Sequence, residues 1–358
     1  IGLDASFLDN RLNFTGEAYI RNTKDMLTAG IALPAVYGTS SPKMNSADMQ
    51  TKGYELTLGW QDMFKLAGKP FSYQVNLTFN DYTSKITKFN NPEKAFAKGY
   101  YEGMRIGEIW GYHIDGIFAT DEEAASYEVD QRNVNDIINS SSGSLKGLHA
   151  GDLRFADLDG DNRISTGENT VDKPGDRRII GNSEPRYQYG ANLAFQWCGF
   201  DFSIFFQGIG RMDWYPASEA ELFWGPFNRP YATFLPKNFL EKCWSEDNPD
   251  AYFPRPRAYV AYDNLNNQCR ELTAKNDRYL QNIGYCRLKN LTVGYTLPKN
   301  LTRKVGIDML RVYFSGENLA YWSGIKTDYI DPEQARRGGD LKVYPWQKTF
   351  TFGINVNF

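Results

Sequence analysis

A long hairpin over residues 186–207 constrains the fold of this chain more than any other stretch. Two runs of alternating polar and apolar residues are joined only by Cys198 and Gly199. Across a two-residue turn the flanking residues lie directly opposite each other, so Trp197 and Phe200 must share a face. Both belong to the apolar set of their strands. The sequence therefore predicts an antiparallel hairpin with one apolar and one polar face.

The length of this hairpin bears on where the protein folds. Strands of soluble domains usually have about five or six residues. An apolar face sustained over about ten residues and ending in Tyr or Trp is what a tilted strand needs to cross a bilayer. This pattern favours a transmembrane β-barrel. A soluble β-sandwich with unusually long strands is the alternative.

Further strands repeat the same pattern along the chain. The alternation is clear in residues 1–22, 54–79, 279–298 and 310–322, and we expect about ten to twelve strands in all. The last strand alternates to a C-terminal Phe358, which in a soluble protein would be an exposed, aggregation-prone edge. The predicted fold class is all-β, a transmembrane antiparallel barrel with long extracellular loops.

Composition excludes several classes of function. The formal net charge is -3 and no basic stripe occurs, which argues against nucleic acid as a partner. Aromatic residues make up 15% of the chain, yet no apolar run is long enough for a transmembrane helix. The two histidines, His113 and His149, lie in no catalytic motif, so we expect no enzymatic activity. A pairing of Cys243 with Cys269 and four free thiols both remain open.

A long aromatic stretch covers residues 211–278. Stretches of this length without regular structure are usually functional or disordered, and this one is too aromatic to be disordered. Its aromatic rings could stack on a sugar or on the side chains of a ligand, or they could pack the loop onto its own barrel. The candidate substrate-binding residues are Trp214, Tyr215, Trp224 and Trp244.

An acidic loop at residues 157–168 has the spacing of a calcium-binding EF-hand loop. Its expected ligands are Asp157, Asp159, Asp161 and Glu168 at positions 1, 3, 5 and 12, with the backbone carbonyl of Arg163. Asn162 stands where Gly is usual at position 6, and Asn tolerates the left-handed conformation needed there. We expect a structural Ca²⁺ that braces an extracellular loop. The alternative is an Asp-rich turn satisfied by its own backbone amides.

Several short motifs, taken in order, resemble one protein family. They are Gly53-Tyr-Glu-Leu56, Gly107-Glu-Ile-Trp-Gly-Tyr112, Asp115-Gly-Ile-Phe118, Gly151-Asp-Leu-Arg-Phe155, Ile180-Gly-Asn-Ser-Glu-Pro185, Tyr285-Cys-Arg-Leu-Lys-Asn-Leu-Thr-Val-Gly-Tyr-Thr-Leu-Pro298, Ser315-Gly-Glu-Asn-Leu319, Asp331-Pro-Glu333 and Tyr344-Pro. Their order and completeness resemble the C-terminal portion of SusC/RagA-like TonB-dependent outer-membrane transporters of Bacteroidota.

The resemblance implies a barrel of about 22 strands with an N-terminal plug inside it. It also implies a SusD-like lipoprotein that closes the extracellular mouth, energy supplied by TonB, and import of oligosaccharides or peptides across the outer membrane. Residues 1–358 then form the C-terminal part of the barrel, and we expect them to be a piece of a larger polypeptide that carries the plug. A stand-alone porin-like barrel and a soluble, calcium-stabilised carbohydrate-binding β-protein are the alternatives.

Overall fold

The structure is a computed structural model. It describes residues 1–29, 34, 36, 38–39, 42–139, 146–217, 220–227, 237–257, 271–327, 329–336, 344 and 346–358. Within these residues the chain is dominated by β-strands, and its three α-helices are short.

Fifteen strands occur in the described residues. They are β1 (Gly2–Phe7), β2 (Leu12–Ala29), β3 (Lys43–Leu66), β4 (Lys69–Lys88), β5 (Glu108–Gly111), β6 (Ile114–Ile117), β7 (Leu153–Phe155), β8 (Arg178–Asn182), β9 (Arg186–Trp197), β10 (Phe200–Arg211), β11 (Asp213–Trp214), β12 (Gln281–Asn282), β13 (Tyr285–Thr296), β14 (Met309–Ser323) and β15 (Thr349–Asn357). The helices are α1 (Asp121–Ser126), α2 (Glu221–Trp224) and α3 (Lys299–Thr302).

Nine of the strands form one antiparallel sheet in the order β1-β2-β3-β4-β9-β10-β13-β14-β15. The other six pair in twos within the connections, as β5-β8, β6-β7 and β11-β12. The main sheet is open, with β1 and β15 at its edges. We expected about ten to twelve strands. The main sheet has nine, and the other six are short strands inside the loops.

The register of the sheet carries one apolar face across all nine strands. The predicted hairpin is confirmed, since Trp197 lies opposite Phe200 in the pairing of β9 with β10. Residues opposite each other across the strands share a face. One apolar row runs through Ala5, Phe14, Leu58, Leu77, Ala191 and Phe206, and a neighbouring row runs through Val75, Leu193, Ile204, Leu291, Gly316 and Phe350.

The opposite face of the same sheet is polar. Its rows include Asn13, Gly59, Asn76 and Asn192, and further along Ser203, Thr292, Ser315 and Thr351. Amide and hydroxyl side chains on this face suit contact with water. The sheet thus has one apolar and one polar face along its whole width.

The connections at the two ends of the sheet differ in length. At one end the strands are joined by the turns at residues 8–11, 67–68 and 198–199 and by residues 297–308. At the other end lie the connections of residues 89–185, 212–284 and 324–348. Short turns at one end and long loops at the other are the arrangement of outer-membrane barrels.

The buried core lies in these long connections and outside the main sheet. The largest fully buried side chains include Phe118, Leu153, Phe155, Ile164 and Trp224. We call residues 89–185, 212–284 and 324–336 the loop layer, of which only the described parts are discussed. No helix among the described residues has the length and apolar character needed to cross a membrane.

Candidate functional site

The loop layer contains all the residues that the sequence singled out as candidate sites. It follows the strand ends at the long-loop end of the sheet, and its buried cluster joins residues from all three long connections, such as Phe155, Trp224 and Ile330. Loops that share one packed core hold their side chains in fixed positions. The layer is therefore a defined structure at one end of the sheet.

The candidate aromatic residues lie inside this layer. Trp224 is fully buried, and its ring centroid is 6.0 Å from that of Tyr215 and 5.5 Å from that of Tyr279. The indole N–H of Trp224 donates to the carbonyl of Ala217 at 3.0 Å. The Tyr215 hydroxyl donates to the carbonyl of Leu272 at 2.9 Å. Both polar groups are satisfied by backbone, as burial of Trp and Tyr requires.

The other two aromatic candidates differ in exposure. Trp244 is buried against Ala150 and Ala251, and the guanidinium of Arg255 lies 5.8 Å from its ring centroid. Trp214 is half-buried and packs edge-on against Phe223. Of the four rings, only Trp214 keeps substantial exposed surface. A ligand contact by the other three would require the layer to open, and a role for the four in substrate binding stays a prediction.

Ion pairs join distant segments of the layer. Asp277 accepts a hydrogen bond from the backbone N–H of Ile114 at 3.1 Å and one from Arg178 at 2.9 Å, and it contacts His113 Nδ1 at 2.5 Å. Burial pushes the pKa of Asp277 upward, but these partners outweigh it and hold the pKa below its usual value. One carboxylate thus ties together three segments that are far apart in sequence.

A second group of charges fixes the segment after β14 to the sheet. Arg287 on β13 is 2% exposed, and its Nη2 donates to both carboxylate oxygens of Asp331 at 2.6 Å. Its Nε lies 3.0 Å from Glu333, which also accepts from Lys289 at 2.8 Å. Asp331 and Glu333 belong to one of the sequence motifs, and the structure gives that motif an anchoring role.

The acidic loop brings three aspartates together. Carboxylate oxygens of Asp157, Asp159 and Asp176 lie within 4.8 Å of one another. Asp157 accepts from the backbone N–H groups of Gly160 at 2.7 Å and Asn162 at 2.9 Å. Asn162 has a φ of 60°, so it takes the left-handed conformation expected at this position. The loop is shaped by its own amides and still leaves three carboxylates close together.

The pKa values in this cluster reflect that crowding. Asp176 is fully buried, and its pKa is raised by burial and by the nearby charges of Asp159 and Asp157, against two backbone hydrogen bonds that lower it. Burial also raises the pKa of Asp157, but its backbone donors outweigh burial and hold that pKa below the usual value. A cation would relieve the repulsion among these carboxylates, and a hard, oxygen-rich donor set fits Ca²⁺.

Side chains of the other expected calcium ligands have hydrogen-bond partners of their own. Asp161 accepts from the backbone N–H of Arg163 at 2.8 Å, and Arg163 reaches Asn133 with its guanidinium at 3.3 Å. Glu168 forms an exposed ion pair with Lys173 at 2.6 Å. Asp176 takes the place near Asp157 and Asp159 that the spacing had given to Glu168. Sequence spacing could not find Asp176, because the chain from 165 to 176 folds back on itself through hydrogen bonds such as that from Ser165 N–H to Asp176.

The cysteines in the described residues are free thiols. Cys243 is buried beside the carbonyl of Phe239, Cys198 is exposed in the hairpin turn, and Cys286 is half-buried. Burial raises the pKa of the Cys243 thiol to about 12, which makes it unreactive. Cys269 lies outside the described residues.

Comparison with known proteins finds similarity to TonB-dependent receptors. No protein-family model matches it. It is 28% identical over 384 residues to TonB-dependent receptor P3 of Formosa agariphila and 24% identical over 388 residues to TonB-dependent receptor P39 of the same organism. Each alignment covers all of this chain and 33% or 35% of the relative. The chain thus spans about a third of the length of the relatives that it matches.

Solved structures agree with this result at the level of fold. The RagAB peptide transporter superposes with a TM-score of 0.66 at 21% identity, covering all of this chain and 34% of that chain. The RagAB peptide importer in its open-open state gives 0.65 at 20% identity. The chain is homologous to TonB-dependent receptors over its whole length. The predicted all-β barrel fold is confirmed, with the sheet open within the described residues.

Proposed function

We propose that this chain supplies part of the barrel wall and the extracellular loop layer of a TonB-dependent importer in the bacterial outer membrane. The observation that carries the proposal is the apolar face that continues across nine antiparallel strands, with a polar face behind it. In water, an apolar face of this extent on an open surface would drive association. Within a bilayer it is the surface that contacts lipid.

The height of the apolar face supports this assignment. On β4 it extends from Phe71 to Phe79, with Tyr73 near one end. On β9 it is bounded by Tyr187 and Trp197. About ten residues at about 3.3 Å each, tilted by about 40°, span about 25 Å, which is the height of the apolar band of an outer-membrane barrel. Aromatic residues at both margins match the two interfacial girdles of such barrels.

The loop layer suggests how the importer meets its substrate. Long loops of outer-membrane barrels lie outside the cell, so the packed layer would form a wall of the extracellular mouth. The imported compound would be an oligosaccharide or a peptide, with Trp214 as the most accessible of the four aromatic candidates. A SusD-like lipoprotein would cover this mouth, and TonB would supply the energy for import. No catalytic role is proposed.

Calcium bound by Asp157, Asp159 and Asp176 is part of the same proposal. The ion would brace the outer part of the loop layer, because Asp176 also accepts hydrogen bonds from Leu158 and Ser165 at 2.7 Å and so links both arms of the loop. Its contribution would be structural.

The test uses the complete receptor in its source bacterium. Gene deletion should remove the receptor from the outer-membrane fraction and abolish uptake of one class of labelled oligomer, either glycan or peptide, and complementation should restore both. Loss of the TonB system should stop uptake equally. Uptake that persists without TonB would indicate a passive porin, and a receptor that stays soluble without detergent would overturn the membrane assignment.

A further inference from the structure

A cavity of about 870 Å³ lies where β3 and β4 approach the loop layer. Four basic side chains line it: Lys52, Lys85, Lys94 and Arg105. Glu102 is the acidic side chain among its lining residues. The chain as a whole has a net charge of -3, so a concentration of positive charge at this place is a local property of the site.

The register shows which face of the sheet carries this cavity. Lys52 lies opposite Thr83. The pair of Tyr54 with Asp81 is two residues away along the strands, and the pair of Leu56 with Phe79 is four residues away, so all three pairs share one face. Lys85, opposite Gln50, continues the same side. Because the register is regular over these residues, Lys52 and Lys85 project from the apolar, lipid-facing side of the sheet. The cavity therefore opens away from the barrel interior.

The cavity lies next to a row of aromatic residues on the apolar face. Tyr54, Phe79 and Tyr187 contact one another in sequence on the apolar face, with ring centroids 6.0 Å and 6.4 Å apart. They form the aromatic margin at the long-loop end. On the loop side of this margin, Lys52 lies two residues beyond Tyr54 on β3, and Lys85 lies six residues beyond Phe79 on β4. This is the side on which the lipid headgroups would lie.

The charges in the cavity are mostly unneutralised. Lys94 pairs with Asp172 at 3.2 Å. In the described part of the chain, no carboxylate is within ion-pair distance of Lys52, Lys85 or Arg105, and all three side chains are exposed. Arg105 is held beside Lys85 by a backbone bridge between the two residues. Like charges that share one cavity repel one another weakly in water, and a bound anion would relieve this repulsion.

We propose that this cavity binds the phosphorylated headgroup of an anionic lipid in the outer leaflet. Phosphate oxygens would accept hydrogen bonds from Lys52, Lys85 and Arg105, and the acyl chains would lie along the apolar face below Tyr54 and Phe79. The proposal rests on the proposed function only in requiring that the sheet be embedded in a membrane. A free phosphate ion would satisfy the same cations but would leave the adjoining apolar face without a role.

The experiment measures lipid binding to the purified, delipidated full-length receptor in neutral detergent by native mass spectrometry. The probes are diphosphoryl lipid A, its dephosphorylated form and inorganic phosphate. We expect lipid A to bind, the dephosphorylated form not to bind, and millimolar inorganic phosphate not to displace lipid A. The triple variant K52Q/K85Q/R105Q should weaken lipid A binding about a hundredfold, from the contribution of each basic residue near an anionic membrane surface.

A matched control variant is K65Q/K69Q/K304Q, which removes three cations from the short-turn end of the sheet and should bind lipid A like the wild type. Equal binding by the wild type and K52Q/K85Q/R105Q would overturn the proposal, as would complete displacement of lipid A by inorganic phosphate. Substrate uptake is measured in parallel. Because lipid binding is read without transport, loss of one with retention of the other distinguishes failure of the lipid site from failure of the importer assignment.

Discussion

Gly151 shows how closely the loop layer is packed at the level of one residue. Its φ is 89°, a conformation that L side chains rarely adopt. An added Cβ would lie 2.3 Å from the Cβ of Arg255 and 2.7 Å from the ring of Trp244. Its backbone N–H donates to the carbonyl of Phe118, and its carbonyl accepts from the backbone N–H of Arg255, each at 2.8 Å. Glycine at this position is therefore required by backbone and by space.

We predict that Gly151→Ala opens the part of the layer around Trp244. The combined backbone strain and overpacking should cost about 3 kcal/mol. Faster amide hydrogen exchange in residues 242–255 of the variant would show this opening. Gly147→Ala is the matched control, since Gly147 has a φ of 77° but no neighbouring atom within 4 Å; it should cost about 1 kcal/mol. Equal effects of the two substitutions would contradict the packing argument.

The acidic loop provides a second prediction at this scale. If Asp157, Asp159 and Asp176 bind Ca²⁺, Asp176→Asn should weaken calcium binding at least about tenfold, since even residues that only orient ligands are worth that much. Glu168→Gln should leave it unchanged, because Glu168 is paired with Lys173. Calcium-dependent protection of residues 156–178 from proteolysis measures both.

The reverse result would decide in favour of the EF-hand spacing read from the sequence. In that case Glu168→Gln would lose the protection and Asp176→Asn would keep it. Protection that is absent in the wild type at millimolar calcium would leave the loop as a turn stabilised by its own amides.

At the scale of elements, the attachment of the segment after β14 depends on charges from β13. Ile330 and Ala335 of this segment are buried in the core of the loop layer, and between them Asp331 and Glu333 meet Arg287. Apolar burial and ion pairing therefore act on one short stretch. A buried charge cluster of this kind is costly to break from one side, because the partners left behind remain buried and unpaired.

We predict that Arg287→Met detaches this segment. The expected cost is about 3–5 kcal/mol, seen as proteolysis within residues 326–336 under conditions where the wild type is resistant. Lys299→Met is the control, since its pair with Asp308 is 61% and 57% exposed and such pairs contribute less than about 1 kcal/mol. Unchanged proteolysis in Arg287→Met would show that apolar burial alone holds the segment.

At the scale of the whole molecule, a charged substitution should have different effects on the two faces of the sheet. Leu193 and Asn192 are neighbours on β9, about midway between Tyr187 and Trp197. Leu193 lies in an apolar row with Val75 and Ile204, whereas Asn192 lies in a polar row with Asn76. In the proposed barrel, the two positions would face lipid and the barrel interior at the same depth.

We predict that Leu193→Arg destabilises the receptor in liposomes by about 2–4 kcal/mol, the cost of a cation at the membrane midplane of a barrel. Asn192→Arg, one residue away, should be nearly neutral, because in the proposed barrel that side chain would face the aqueous interior. Urea titration of the folded fraction, read by heat-modifiable gel mobility, compares them. A larger penalty for Asn192→Arg would invert the assignment of the faces.

The strands and their faces could be read from the sequence because a strand has a period of two. Polar and apolar residues alternate along each strand, and this local pattern places Trp197 opposite Phe200 and puts Asn192 and Leu193 on different faces. Nine strands follow the pattern with few bulges. The overall class, a barrel wall with long loops at one end, followed from that pattern and from the resemblance of the motifs.

Only the tertiary structure determined which side chains are buried and which are close together in the loop layer. The sequence identified Trp224 and Trp244 as aromatic residues in a long loop, but their burial depends on segments more than fifty residues away, such as Gly151 beside Trp244 and Tyr279 beside Trp224. For the same reason spacing selected Glu168, whereas the folded loop brings Asp176 to Asp157 and Asp159. Local periodicity specifies which face a strand side chain occupies, while contacts between loops depend on closure of the chain over long distances, which no local pattern encodes.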